Sequence, residues 1–147
     1  MARLTKAQRE WRPGMPKKRR STKVMFASTV LVLEGFVAFF ATLAVFGLRR
    51  DEFPPALILS AGIGLSLVLV LTCAVLSKPW GVGLGWILQL ILIFAGFIEP
   101  MMFVVGILFA VAWWYGIRTG IRIDREAGQR EREQAEWEAA HPEDQSN

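Results

Sequence analysis

Four apolar runs, separated by short polar or proline-bearing breaks, organise the sequence. The first covers 24–48, with the core VLVLEGFVAFFATLAVFGL, and ends at Arg49-Arg50-Asp51-Glu52-Phe53-Pro54-Pro55. The second covers 56–76 and is closed by Ser77-Lys78-Pro79. The third covers 80–98, Glu99-Pro100 follows, and the fourth covers 101–117. Proline removes a backbone donor and restricts the residue before it, so each proline-bearing break is expected to turn the chain. The runs are continuously apolar rather than alternating, which points to helices and away from a barrel. About 20 residues at 1.5 Å each cross about 30 Å of hydrocarbon, and all four runs suit that length. A single helix over 81–117 would measure about 55 Å, far more than the hydrocarbon thickness, so a helical hairpin at Glu99-Pro100 is expected instead. The predicted fold class is all-α: a polytopic membrane protein, a four-transmembrane-helix bundle with disordered or partly helical cytoplasmic tails.

Charge sharpens that picture. Between 24 and 117 the only charged residues are Glu34, Arg49, Arg50, Asp51, Glu52, Lys78 and Glu99, too few to clothe a soluble core. Residues 1–23 hold nine Lys and Arg against one Glu and are broken by Pro13, Gly14 and Pro16. Such a segment buries too little apolar area to offset its ordering entropy, so 1–23 is expected to be a disordered basic tail. The domain division expected is therefore 1–23, 24–117 and a charged tail over 118–147. Fifteen of the Lys and Arg fall on the side of the two tails and Lys78, and only Arg49 and Arg50 on the other. The positive-inside rule then places both termini in the cytoplasm. The first apolar run is too long for a cleaved signal peptide and contains a glutamate.

Glu34 is the residue most in need of an explanation. It lies near the middle of the first run, where an ionisable side chain costs about 2.5–3.5 kcal/mol on insertion scales. It requires a partner, a water cavity or a neutral form. Counting residues from the cytoplasmic ends puts Gln89 and Ser66 within about 5 Å of its level. A midplane cluster of Glu34, Gln89 and Ser66 is expected, with Gly106 giving it room. Polar glue between helices is the preferred reading and a proton or cation relay the other, because no cationic partner is in sight.

Small residues mark expected helix contacts: Ser60, Gly62, Gly64 and Ser66 in the second run, and Gly81, Gly83 and Gly85 in the third. Gly81-Val82-Gly83-Leu84-Gly85 lacks the strand and lysine of a phosphate loop and reads as packing. Trp80, Trp113, Trp114 and Tyr115 stand at run ends and are expected to anchor at the interface. Lys17, Lys18, Arg19, Arg20 and Lys23 abut the first run and suit contact with anionic lipid. No nucleic-acid binding is expected, since no folded soluble module accompanies them. In the C-terminal tail the i,i+4 pairs Glu126–Arg130 and Arg132–Glu136 support an exposed helix weakly, and Gly128 is expected to interrupt it. Trp137 is the tail's one aromatic after Tyr115. Cys73 is the single cysteine and His141 the single histidine, so thiol, zinc and Ser-His-Asp chemistry lack raw material. No enzyme activity, cofactor or metal site is expected.

The stretches Leu31-Val32-Leu33-Glu34-Gly35-Phe36-Val37 with Ala41, Gly85-Trp86-Ile87-Leu88-Gln89 and Met102-Phe103-Val104-Val105-Gly106 resemble an actinobacterial family of small four-span membrane proteins of unknown function. Members are often encoded beside folylpolyglutamate synthase. The resemblance covers about 24–120 and leaves both tails outside; it implies a bacterial plasma membrane and no reaction. The function expected is that of a non-enzymatic accessory or assembly subunit, packing through small-residue faces against lipids, further copies of itself or a larger membrane complex. The alternative is an oligomeric proton-coupled transporter using Glu34. A membrane glutamate in the first of four short spans is similar to the layout of small multidrug resistance proteins, but the long tails and biased charge depart from it.

Overall fold

The computed structural model describes residue 6 and residues 20–142. Among the described residues four helices and a short 3-10 turn carry the fold: α1 (Thr22–Leu48), α2 (Pro55–Val75), α3 (Gly81–Phe94), the 3-10 turn Ala95–Phe97, and α4 (Met101–Ala140). No strand occurs among them. Three helices are long and apolar enough to cross a membrane: α1, α2 and α4. With its 3-10 extension, α3 is a shorter apolar helix, Gly81–Phe97.

The breaks act where proline and polar residues demand them. At the end of α1 the Arg49 N–H still reaches the Val45 carbonyl at 2.8 Å, and the chain then turns through Asp51 and Glu52. Pro54 caps α2 and Pro55 is its first residue, a place where a missing N–H costs nothing. α3 tightens into 3-10 geometry before Pro100 starts α4.

The contacts of α3 with α4 identify a hairpin. A Cβ on Gly85 would strike the Trp113 ring, one on Gly106 would lie 3.0 Å from the Ile93 backbone, and one on Gly96 would strike Phe103. Residue numbers rise along one helix as they fall along the other, so the pair is antiparallel, as the Glu99-Pro100 break predicts. α1 runs antiparallel to α2, with Thr42 against Gly62 and Gly35 against Val70, and antiparallel to α4, with Phe26 facing Gly116 and Lys23 lying under Gly120. α1 packs chiefly on α2 and α4, α3 chiefly on α4, and α2 touches α3 sparsely. The four helices thus form a ring, up and down in turn, with α1 diagonal to α3.

Trp113, Leu31, Leu69, Leu76, Leu88 and Ala27 fill the centre. The outside is as apolar as the inside: Phe36, Phe40, Leu71, Phe94, Val104 and Leu108 are all well exposed. A soluble monomer rarely exposes more than a few hundred Å² of contiguous apolar surface, so lipid is the solvent that suits this one.

Three expectations need correction. α4 is 40 residues long and does not stop at 117. Residues 118–140, the helical part of the expected tail, continue it without a break, and Gly128 does not interrupt it, a lone glycine costing a helix only about 1 kcal/mol. The third run ends as an α-helix at Phe94 rather than Ile98, since the last turn winds up ahead of Pro100. The disorder expected for 1–23 falls mostly outside the described residues, as do Lys17, Lys18 and Arg19; Arg20 is exposed, while Ser21 and Lys23 are held against α4.

Candidate functional site

The interior of the bundle holds a polar pair. Glu34 on α1 and Gln89 on α3 are each 1% exposed, and Gln89 Nε2 donates to Glu34 Oε2 at 2.8 Å across the diagonal. Level-counting from the helix ends brings these two together, and the structure joins them. Glu34 Oε1, Gln89 Oε1 and Trp113 Nε1 are buried without a partner among the described residues. Trp113 lies over Gly85, one turn from Gln89 on the same face of α3, because only a missing side chain leaves room for the indole.

Ser66 does not join the pair. Its hydroxyl donates to the Gly62 carbonyl at 2.9 Å, the bond back to the preceding turn that serine and threonine find in apolar helices. Thr42 and Thr72 do the same, to Ala38 and Val68, both at 2.7 Å. Gly106 gives its space to Ile93, not to Glu34. The Cys73 thiol points at the Ser28 carbonyl at 3.6 Å.

The other predicted residues divide by face. Gly62, Gly81 and Gly85 sit at close approaches, to Thr42, to the Val75–Leu76 backbone and to Trp113. Gly64 meets nothing within 4 Å, and Ser60 is exposed with its hydroxyl on the Leu57 carbonyl, so neither packs within the chain. Trp80, Trp114 and Tyr115 are exposed, and Lys78 and Arg118 lie over the Trp80 and Trp114 rings. Trp113 is the exception: it is fully buried and is a core residue, not an interfacial anchor. Adjacent helix positions point about 100° apart, so one tryptophan of the pair turns inward and the other outward.

A second site lies beyond the apolar part of the bundle. Asp124, six residues past the Arg118 that opens the charged part of α4, receives the Ser21 hydroxyl at 2.6 Å, the Thr22 N–H at 2.7 Å and the Lys23 N–H at 3.2 Å. No side chain of its own caps α1, and no acid stands in its first turn. Asp124 supplies both from more than 100 residues away, satisfying free N–H groups at the positive end of the helix. Partial burial pushes its carboxyl up, but the hydrogen bonds from Ser21, Thr22 and Lys23 outweigh that and hold it below its ordinary range. Sequence reasoning missed this clamp; the available signal was Gly116 and Gly120, four apart, marking where α4 meets a neighbour.

At the opposite end Arg49 joins two loops, pairing with Glu52 at 3.2 Å and with Glu99 at 3.1 Å. An apolar cavity of about 250 Å³ opens beside it, in the sparse contact between α2 and α3. Its walls include Ala41, Ala61, Leu65 and Leu92, with Phe53 and Glu99 toward the loops, and it reaches Ala38, one helical turn from Glu34. Among the described residues no three His, Cys, Asp or Glu side chains converge as a metal site requires.

No curated protein and no solved structure matches the sequence. Residues 25–129 match a family model, and the match runs past the apolar part of α4 to include Gly116, Gly120 and Asp124, further than the 24–120 of the resemblance. With most of its length so matched, the chain belongs to the family described as Protein of unknown function (DUF4233).

Proposed function

We propose that the protein is a non-enzymatic accessory or assembly subunit of the bacterial plasma membrane that presents the polar arm of α4 to a partner in the cytoplasm. The arm carries this reading. From Gly128 to Ala140 nearly every residue is exposed, the helix continues without a break, and at 1.5 Å per residue it reaches about 18 Å beyond Gly128. A helix that is polar all round has no core of its own to join and is sustained by i,i+4 pairs, here Gln134–Glu138 at 3.0 Å, with Arg130 reaching back to Glu126 at 3.9 Å. Trp137 is 54% exposed on it, an aromatic anchor of the kind that dominates protein interfaces. Within the bilayer, Ser60 and Gly64 on the outer face of α2 leave a small-xxx-small stripe open to a second copy or another membrane subunit. The excess of Lys and Arg beside the tails supports a cytoplasmic arm.

The test is purification in mild detergent of the full chain and of a chain ending at Gly128, with identification of what co-purifies. The expected result is a partner in fixed proportion to the full chain and absent from the shortened one, with bundle stability unchanged. An identical set of proteins from both contradicts the reading.

One observation favours a second reading, proton-coupled transport: the cavity reaching Ala38 comes within a turn of Glu34. Vesicle flux that Glu34→Gln abolishes supports it, and flux equal in both forms, or absent from both, counts against it.

A further inference from the structure

We propose that Glu34 and Gln89 form a reciprocal carboxylic acid–carboxamide pair, in which Glu34 binds a proton on Oε1 and donates it to Gln89 Oε1, while Gln89 Nε2 donates to Glu34 Oε2. The bundle thereby contains a built proton-binding site.

The inference follows from counting donors. The bond from Gln89 Nε2 to Glu34 Oε2 uses one arm of each group. The other arms, Glu34 Oε1 and Gln89 Oε1, are both oxygens, both buried, and both without a partner among the described residues. Two acceptors cannot satisfy each other, and one proton between them satisfies both. Carboxyl and carboxamide are planar forks of the same shape, so with one arm closed the two groups can close the second arm once a proton lies between the two Oε1 atoms. Exchanging the amide oxygen and nitrogen of Gln89 leaves the count unchanged, because an oxygen of the amide then faces the other oxygen of Glu34.

Among the described residues no positive charge is placed to stabilise a carboxylate. On α1 the nearest are Lys23 and Arg49, eleven and fifteen residues away, or about 16 and 22 Å along the helix. α2 and α3 contain no charged residue, and α4 has none before Arg118. The other titratable groups of the apolar helices are Cys73 on α2, turned to Ser28, and Tyr115 on α4, which faces outward. The unpaired Trp113 Nε1 is a neutral donor and adds no charge. A bare carboxylate at 1% exposure would therefore be a buried charge with one neutral donor and no countercharge, a costly state.

Infrared difference spectra of the full chain in lipid bilayers at neutral pH, wild type against Glu34→Gln, test the proposal. The expected spectrum contains the carbonyl stretch of a hydrogen-bonded protonated carboxylic acid, which Glu34→Gln removes. In Gln89→Leu the same band is expected at higher frequency, because its hydrogen bonds are gone. Glu34→Gln reproduces the shape of the neutral acid and keeps both bonds, so its melting midpoint is expected to match wild type. A difference spectrum holding only carboxylate bands overturns the proton, and a band that Gln89→Leu leaves in place overturns the pairing.

Discussion

At the scale of single residues, each buried polar side chain takes the nearest partner that its depth and its own helix offer. Glu34 and Gln89 could be matched because both are polar, both lie in otherwise apolar helices, and helical rise converts residue number into level. Ser66 shares that level, but its hydroxyl has a nearer acceptor on its own helix at Gly62. A tryptophan at the end of an apolar run suggests an interface, but Trp113 faces inward because Gly85 opposite leaves room for its ring. Asp124 was invisible, since nothing in a charged stretch singles out the one acid that meets a helix end 100 residues earlier. Its role makes a firm prediction. Asp124→Ala is expected to destabilise the protein in detergent by about 1–2 kcal/mol, the scale of losing a helix N-cap. The sign of the pH effect follows from a folded-state carboxyl held below its unfolded value. The contribution is fully present above about pH 4 and is lost as pH falls through the depressed folded value. Thermal melts across that range are expected to show the difference between wild type and Asp124→Ala at neutral pH and its disappearance in acid. A difference that persists in acid means that the carboxylate is not its source.

At the scale of elements, the breaks were readable and the ends were not. Pro54-Pro55 and Pro100 forced turns where the structure has them. Hydropathy falls at 117 and suggests an end there, yet backbone geometry does not follow hydropathy: the helix runs on to Ala140, with Arg122–Glu126 and Gln134–Glu138 pairs along it. Small residues are close-approach positions only where a neighbouring helix or turn presses on them, as at Gly62, Gly81 and Gly85 but not Gly64, and sequence alone does not say which face that is. The contrast is testable. Gly85→Leu is expected to drive a side chain into Trp113 and to lower stability by about 1–3 kcal/mol, the scale of overpacking. Gly83→Ala, two residues away with nothing within 4 Å, is expected to be neutral or to gain up to about 1 kcal/mol from helix propensity. Thermal melts of the two in one detergent check this, and equal losses would contradict the assigned faces.

At the scale of the whole molecule, the bundle's two ends are fastened differently. Arg49 ties two loops together through Glu99 at one end, and Asp124 binds the start of α1 to α4 at the other. The second fastening lies outside the apolar segment, so the polar part of α4 belongs to the fold as far as Asp124, and an exposed helical arm follows it. The family match to residue 129 covers the clamp and stops near where the arm begins. Presentation of a partner surface requires that arm to be rigid. Spin labels at Arg122 and Glu138, in the full chain in bilayers, read this directly by pulsed dipolar distance measurement. Sixteen residues of unbroken helix predict a narrow distribution centred near about 24 Å. A broad distribution shifted to shorter distances would mean that α4 ends at the bundle and that there is no arm to present.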